Sequence, residues 1–194
     1  AGPYSCDTNV ILKNMNRIAE AGWAGVVLKS IARDERLTDG RYGARPHIFP
    51  VTGRKGQIGM QNYGPFFTFL PDIESVLRGV IEVGKDRGLL IIPSVIAENV
   101  NDWVYLASKI EESGAEMVEL DLSCPCAPEK VSKGEVAVTD LHPELVEEVV
   151  SSIRSQCNIP IIAKLGPNLY DVSDVAIAAA RGGASGITAV NTVL

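Results

Sequence analysis

Residues 102–123 read DWVYLASKIEESGAEMVELDLS, and this stretch decides the fold class. Its first half spaces apolar residues as an amphipathic helix does. Gly114 then stands where the C-terminal cap of a helix needs a left-handed residue. The second half is a nearly continuous apolar run, which is typical of a strand buried on both faces of a parallel sheet. The stretch therefore predicts a helix followed by a buried parallel strand.

The same unit occurs twice more, with glycine again between the helix and the strand. NVILKNMNRIAEAG precedes WAGVVLKS, and DVAIAAARGG precedes ASGITAVNT, so that Gly22 and either Gly182 or Gly183 are the capping residues. Helix starts are marked by candidate N-caps at Asp7 or Thr8, Asn101 and Asp171. Pro143 suits a first helical position. Two further helices are expected in PDIESVLRGVIEVGKDRG and PELVEEVVSSIRSQC.

Helices that alternate with parallel strands indicate the α/β class. We expect strands near 25–30, 89–95, 116–122, 160–165 and 186–191, and the opening AGP resembles the end of an earlier strand. No glycine-rich dinucleotide or phosphate loop follows the first strand. A (β/α)8 TIM barrel is thus preferred over a doubly wound sheet. Six strands do not close such a barrel, so we expect residues 1–194 to be a single barrel domain, truncated to about six βα units and incomplete at both ends.

Composition excludes several classes of protein. Apolar residues make up 46% of the 194 residues, charged residues 22%, and the net charge is −6 without a basic run. This balance argues against nucleic-acid binding and against a polybasic membrane surface. The apolar runs are too short for a membrane span, and no signal peptide is visible. Four cysteines do not form a dense disulfide framework, so we expect a cytoplasmic protein with reduced thiols.

Two long segments interrupt the repeat. Residues 31–71 are rich in Gly, Pro and charged residues and are predicted to be a functional loop over the carboxyl ends of the strands. A second loop is predicted after Asp121, at the same end.

Polar residues at the strand ends are the candidates for a functional site, because a barrel places its active site there. Lys29 and Lys164 each close an apolar run; each could extend to solvent, or the pair could bind an anionic group. Asp121 could cap the following loop or place a carboxylate beside the lysines. The full set is Lys29, Ser30, Ser94, Asp121, Leu122, Ser123, Cys124, Lys164, Asn191 and Thr192.

The cysteines of the second loop admit several interpretations. Cys124 and Cys126 have a Cys-x-Cys spacing with no second Cys/His pair at a zinc-like distance, so no metal site is expected. A disulfide across one proline is a poor alternative. Packing is the main expectation for Cys126, whereas the Cys124 thiol could act as a nucleophile or as an acid–base group.

These motifs together resemble a known family. The chain is similar to the FMN-binding barrel of dihydropyrimidine and dihydroorotate dehydrogenases, and dihydropyrimidine dehydrogenase is the closer branch. The motifs that carry this resemblance occur in the same order as in the family; along the chain they are AGWAGVVLKS, GQIGMQNYG, ELDLSCP, PIIAKLGPN and GGASGITAVNTV. The resemblance implies hydride transfer between FMN and a pyrimidine-like ring, with Cys124 as the general acid–base residue. It implies cofactor contacts from Gly2, Lys29, Asp121 and Lys164, and substrate contacts from Ser123, Asn191 and Thr192.

Three positions depart from the family pattern. Asp121 stands where the family usually has Asn, and an ionised carboxylate only accepts hydrogen bonds whereas an amide also donates them. Gly56 falls near a second expected Asn, and Cys126 stands where Asn or His is common. We therefore expect a flavin enzyme of this type whose substrate need not be uracil, thymine or dihydroorotate.

Other functions remain open from the sequence. A lyase or aldolase could form a Schiff base on Lys164, and a barrel subunit could serve as a non-catalytic scaffold. The resemblance also implies iron–sulfur clusters and FAD, which would lie on an electron-transfer partner subunit or outside this stretch of chain, since no cluster motif is present. We further expect a homo-oligomer with a small-molecule substrate.

Overall fold

A computed structural model describes residues 8–33, 45–50, 58–63, 68–69, 72–123, 142–167 and 171–190. The described residues form an α/β fold. Its helices are α1 (Thr8–Glu20), α2 (Ile73–Lys85), α3 (Val100–Glu112), α4 (Pro143–Arg154) and α5 (Val172–Arg181). Its strands are β1 (Gly25–Val27), β2 (Ile31–Ala32), β3 (Arg45–Pro50), β4 (Ile58–Tyr63), β5 (Thr68–Phe69), β6 (Leu90–Ile92), β7 (Ser94–Ile96), β8 (Val118–Asp121), β9 (Ile161–Leu165) and β10 (Gly186–Ala189).

The strands of the main sheet are all parallel. Six of them lie in the order β10-β9-β8-β7-β2-β5, and β1 pairs separately with β6. From β10 to β2 the neighbours follow the reverse of chain order, as expected when each strand is followed by a helix that returns the chain to the start of the next strand. The five predicted strands are confirmed.

Two of the predicted strands are interrupted. β1 and β2 are separated by residues 28–30, and β6 and β7 by Pro93, which lacks a backbone N–H. Hydrogen bonds continue across both breaks: Leu28 N donates to Ile92 O at 2.9 Å, and Glu119 N donates to Pro93 O at 2.9 Å. Each pair of short strands therefore acts as one broken strand of the same sheet.

The helices pack side by side along one face of this sheet. Each helix contacts the next one along the chain, and α3 contacts β8 while α4 and α5 contact β9. The core includes Val118 and Leu120 of β8, packed with the fully buried Trp103, Leu106 and Ile110 of α3. Within the described residues, no helix is both long and apolar enough to span a bilayer.

Glycines end the helices as the sequence predicts. Gly22, Gly114 and Gly183 have φ values of +78°, +85° and +98°. An L side chain at such an angle is strained, and glycine adopts it at little cost. The prediction left Gly182 and Gly183 as alternatives, and the left-handed residue is Gly183. These turns reverse the chain from each helix into the following strand.

The predicted helix starts are confirmed at two places and wrong at one. The Asp171 side chain accepts from Ser173 N at 2.8 Å, and α4 begins with Pro143. The cap of α3 is Asn99 instead of Asn101, because the side chain of Asn99 accepts from Asp102 N at 3.0 Å and helical geometry begins at Val100. Thr8 is the first residue of α1, and Asp7 lies outside the described residues.

Residues 31–71 are not one continuous loop. β3 and β4 form an antiparallel pair in which Ile48 lies opposite Met60, and β5 pairs in parallel with β2. Pro46 and Pro50 obscured β3 in the sequence because proline is confined to edges and ends of strands. A two-stranded pair has two edges, so both prolines fit it.

Candidate functional site

Strand β8 carries two carboxylates on one face. Glu119 and Asp121 alternate with Val118 and Leu120, and alternate residues of a strand point to opposite sides of a sheet. Val118 and Leu120 pack toward the helices, so Glu119 and Asp121 point the other way. We call the side of the sheet that carries these two carboxylates the inner face. Glu119 is only 3% exposed and Asp121 only 5%, so both need polar partners.

Among the described residues, the side chains of Ser30, Ser123 and Lys164 donate to the Asp121 carboxylate. Ser30 Oγ lies 3.0 Å from Oδ2, and Lys164 Nζ lies 3.3 Å from the same oxygen. Ser123 Oγ lies 3.2 Å from Oδ1. Both oxygens of this buried carboxylate are therefore engaged within the protein, and one of the donors is a cation.

Glu119 is held by hydroxyl groups. Ser94 Oγ lies 3.1 Å from Oε1, and Thr188 Oγ1 lies 3.0 Å from Oε2. Ser94 Oγ also lies 3.2 Å from Ser30 Oγ, so the partners of the two carboxylates touch. We name the resulting hydrogen-bonded group the inner-face cluster; its members are Ser30, Ser94, Glu119, Asp121, Ser123, Lys164 and Thr188.

The strand register places the members of the inner-face cluster in two rows that run across the sheet. Ser94 pairs with Glu119 across β7 and β8. One level nearer the carboxyl ends, Lys164 of β9 pairs with Asp121 on one side and with Thr188 on the other. Open α/β sheets and barrels bind their ligands at the carboxyl ends of parallel strands. The Asp121–Lys164 level therefore faces the end of the sheet where a ligand is expected.

Lys164 is more accessible from outside than the carboxylate that it contacts. Its side chain is 22% exposed, compared with 6% for Asp121. An ammonium group has three N–H donors, and the bond to Asp121 uses one of them. The lysine can therefore donate to a ligand while the carboxylate behind it fixes its position and offsets its charge.

Several predicted site residues meet in this cluster. Ser30, Ser94, Asp121, Ser123 and Lys164 are brought together from four separate segments of chain. Lys29 lies in the break between β1 and β2, half-buried, and the neighbouring Ser30 makes the contact with Asp121. The predicted positions Gly2, Gly56, Cys124, Cys126, Asn191 and Thr192 lie outside the described residues, and their roles stay predictions.

Sequence reasoning missed Glu119 and Thr188. Glu119 is a charged residue inside an apolar strand, two positions before Asp121 and hence on the same face. That pattern was a usable signal, since a carboxylate is seldom buried without a partner. Thr188 had no comparable signal, because its hydroxyl is one of many in polar contexts and only the pairing of β9 with β10 places it near Glu119.

The one cysteine among the described residues has a thiol of low reactivity. Cys157 is buried, and this burial raises the pKa of its thiol, although a hydrogen bond with Ser108 acts in the opposite direction. A raised pKa keeps the sulfur in its less reactive thiol form. Nor do the described His, Cys, Asp and Glu side chains include a group of three placed to hold a metal ion.

The first interrupted strand is anchored to α3. The Arg33 guanidinium, directly after β2, forms an ion pair with Asp102 and lies over the ring of Tyr105, 4.1 Å from its centroid. A cation over an aromatic ring is stabilised by the charge distribution of the ring. This contact fixes the chain just beyond Ser30 and so supports the position of the inner-face cluster.

Comparison with known proteins decides the family. The family model described as dihydroorotate dehydrogenase matches residues 13–194, which is nearly the whole chain. The chain belongs to the dihydroorotate dehydrogenase family. The resemblance drawn from the strand-end motifs is therefore confirmed.

Two curated relatives are similar over most of the chain. It is 33% identical over 180 residues to the NAD-dependent dihydropyrimidine dehydrogenase subunit PreA of Escherichia coli K12, covering 90% of this chain and 40% of the relative. It is 32% identical over 199 residues to the catalytic subunit of dihydroorotate dehydrogenase B (NAD(+)) of Thermoplasma volcanium, covering 98% and 58%. The chain thus spans roughly half the length of these relatives.

A solved structure shares the fold at low sequence identity. The carboxyl transferase domain of Rhizobium etli pyruvate carboxylase superposes with a TM-score of 0.58 and 10% identity, over 94% of this chain and 24% of that one. At this identity the likeness concerns the fold alone.

Proposed function

We propose that the protein is an FMN-dependent oxidoreductase that transfers a hydride between the flavin and a pyrimidine-like ring. The observation that carries the proposal is the Asp121–Lys164 pair, 3.3 Å apart at the carboxyl ends of parallel strands, in a chain of the dihydroorotate dehydrogenase family. The printed names of its relatives, a dihydropyrimidine dehydrogenase subunit and a dihydroorotate dehydrogenase, support this reaction class.

The described sheet is proposed to be part of a (β/α)8 barrel. Strands β2, β7, β8, β9 and β10 are parallel, neighbour one another in chain order and carry their helices on one face. In such a barrel the inner face is enclosed by the remaining strands, and the site lies at their carboxyl ends. This arrangement explains why the inner face of an α/β sheet bears buried carboxylates.

The inner-face cluster fits one edge of a flavin. Lys164 keeps N–H donors beyond the one used by Asp121, and it is the partly exposed member of the pair. It would donate to the ring oxygen and nitrogen acceptors of FMN, with Gly2 and Lys29 as further contacts. Bound FMN supplies a carrier that gives or accepts a hydride. Asp121 would act on the bound group through Lys164, whose ammonium group it holds at 3.3 Å.

Cys124 is proposed to move the proton of the reaction. It directly follows Ser123 in the sequence, and the Ser123 hydroxyl donates to Asp121 Oδ1. When the ring is reduced, the hydride adds to C6 and the Cys124 thiol gives its proton to C5. In the reverse direction the thiolate takes that proton back. A thiol suits both roles because nearby charge can bring its pKa toward neutrality.

The substrate is proposed to be a neutral ring of the dihydropyrimidine type. The Asp121 carboxylate offsets the positive charge of Lys164, so this part of the site gives little net attraction to an anionic substituent. A ring carboxylate placed here would also be repelled by Asp121. Ser123, Asn191 and Thr192 are proposed to hold the ring by hydrogen bonds. We further propose an electron-transfer partner that carries FAD and iron–sulfur clusters, and self-association of the protein.

Cysteine variants test the acid–base role. In the protein purified with FMN, we expect Cys124→Ser to slow flavin reduction by dihydrouracil by about 10²–10⁴-fold. Cys157→Ser is the matched control, because the Cys157 thiol is buried between α4 and β9 and contacts Ser108 of α3, and it should retain the wild-type rate. If wild type and Cys124→Ser reduce the flavin at equal rates, Cys124 is not the acid–base residue.

A Schiff-base enzyme is the competing use of Lys164. That reaction requires the amine to attack a carbonyl carbon, whereas Nζ donates to Asp121 in this structure. Borohydride treatment in the presence of a carbonyl substrate separates the two functions. We expect no covalent adduct at Lys164, and a trapped adduct would favour the lyase.

A further inference from the structure

The Glu119 side chain reaches past a neighbouring strand to contact Thr188. Glu119 lies on β8 and Thr188 on β10, and β9 runs between them. The register places Glu119 beside Ile162 of β9, whereas Thr188 lies beside Lys164, one row nearer the carboxyl ends. The 3.0 Å hydrogen bond from Thr188 Oγ1 to Glu119 Oε2 therefore crosses β9 diagonally and joins the two rows.

Thr188 is also the cross-strand neighbour of Lys164. Neighbouring strands lie about 4.8 Å apart, and side chains of paired residues on one face interact. A threonine hydroxyl can accept a hydrogen bond from an ammonium group, and the lysine ammonium is carried on a long, flexible stem. In the structure, however, Lys164 Nζ donates to Asp121 and the Thr188 hydroxyl donates to Glu119.

Glu119 explains why these two neighbours are not paired. Its carboxyl group is held from the other side by Ser94 Oγ, 3.1 Å from Oε1, and the residue is only 3% exposed. Oε2 is thereby fixed as an acceptor for Thr188. A β-branched side chain occupies a few discrete χ1 rotamers, so the rotamer that directs Oγ1 to Glu119 excludes the others.

We infer that Glu119 is a positioning residue for Lys164. By holding the Thr188 hydroxyl, it leaves the ammonium group with Asp121 as its partner and with N–H donors for a ligand. When Glu119 is removed, Thr188 Oγ1 turns toward Lys164 and accepts one of these donors. The inference deepens the proposed function, on which it rests only for the identity of the ligand as a flavin.

Acylation of the flavin-free protein measures how available the Lys164 amine is. Acetic anhydride reacts with the free amine, and a hydrogen bond accepted from the ammonium form opposes loss of its proton. Mass spectrometry compares the rate at Lys164 with the rate at Lys85, an exposed lysine of α2 in the same molecule. Because no flavin is present, the result is independent of whether the protein binds FMN.

Two substitutions of equal charge separate positioning from general loosening of the cluster. Glu119→Gln and Glu119→Met both remove the carboxylate, but the glutamine amide can still bond both hydroxyls. We expect Lys164 to react about 2- to 10-fold more slowly in Glu119→Met than in Glu119→Gln, the range for one hydrogen bond. Adding Thr188→Val to Glu119→Met removes the competing hydroxyl and should restore the Glu119→Gln rate.

A purely structural role for Glu119 predicts the opposite pattern. Glu119→Met would then loosen the cluster and make Lys164 react faster, and Thr188→Val would bring no recovery. Either result would overturn the inference.

Glu119→Asp keeps a carboxylate at position 119 and places no apolar side chain in the cluster. Its side chain is one methylene shorter and falls short of Thr188, so Lys164 should react more slowly than in wild type and recover with Thr188→Val. An unchanged rate in Glu119→Asp would contradict the inference. FMN titration of the same proteins should show the same order, with binding weakened about 2- to 10-fold in Glu119→Asp. A wild-type protein that binds no FMN would refute the proposed function, whereas the acylation rates alone decide the role of Glu119.

Discussion

The two faces of strand β8 differ although they belong to the same four residues. Val118 and Leu120 are fully buried among apolar side chains of the helices. Glu119 and Asp121 are almost as deeply buried, but each is surrounded by hydroxyls, and Asp121 also by a cation. A buried charge costs far more than a buried methyl group unless it is fully bonded. The helix-facing side therefore stabilises the fold by apolar packing, whereas the inner face holds charged groups whose burial depends on their hydrogen bonds.

The largest loss of stability should come from the helix-facing side. Leu120→Ala removes a side chain with no exposed surface and should lower the free energy of unfolding by about 3–5 kcal/mol, because it also leaves a cavity. The measurement is urea denaturation followed by circular dichroism. At a temperature where the variant is folded, its flavin reduction rate should stay near that of wild type. A selective loss of activity would contradict the separation of the two faces.

The next largest effect should come from breaking the inner-face ion pair. Lys164→Met leaves Asp121 charged and buried, and should cost about 3 kcal/mol of unfolding free energy. It should also abolish flavin reduction. The double variant Lys164→Met/Asp121→Asn is the matched control, because it removes both charges.

The double variant should recover much of the stability while remaining inactive. Recovery of both properties would mean that Lys164 has only a structural role. If the double variant is as unstable as Lys164→Met, the stability lost in Lys164→Met does not come from the unpaired charge of Asp121.

A smaller effect is expected for the charge that Lys164 presents to a bound flavin. Asp121→Asn removes the carboxylate that offsets the lysine, so the flavin should become easier to reduce. We expect its midpoint potential to rise by about 30 mV, which corresponds to roughly 1.4 kcal/mol for a two-electron couple. Redox titration against reference dyes measures it. A lower potential would show that Asp121 does not act through Lys164.

The smallest effect concerns a helix cap remote from both faces. Hydrogen bonds from the side chain and backbone of Ser173 lower the pKa of Asp171, which is fully exposed. A carboxyl group with a lowered folded-state pKa adds stability above its unfolded value, and this stability is lost as pH falls through the folded value. Wild type should therefore lose more stability than Asp171→Asn when the pH drops below about 4. Parallel acid titrations that coincide for the two proteins would contradict this assignment.

Much of the fold was predictable because each βα unit carries its own local signals. Glycine at the end of a helix, a continuous apolar run and Asp171 as a cap act within a few residues, and all three are confirmed. The cap at Asn99 was misplaced by two positions because both residues are asparagines near the same helix start. The β3–β4 pair was missed because its prolines and glycines are as common in loops as in edge strands.

The site was predictable only in part, for a physical reason. Asp121 and Lys164 were found because each ends its strand in a charged residue. Their pairing, and the inclusion of Glu119 and Thr188, depend on how neighbouring strands are aligned. Register is a property of the assembled sheet and leaves only a weak mark on any single strand.

One measurement tests the central claim that the inner face supports flavin chemistry. The protein with its natural partners is purified, its visible absorption is recorded under anaerobic conditions, and dihydrouracil is added. We expect bound FMN whose absorption is bleached by this neutral substrate in wild type and in Leu120→Ala, and not in Lys164→Met. A protein that binds no FMN, even after reconstitution, would contradict the account.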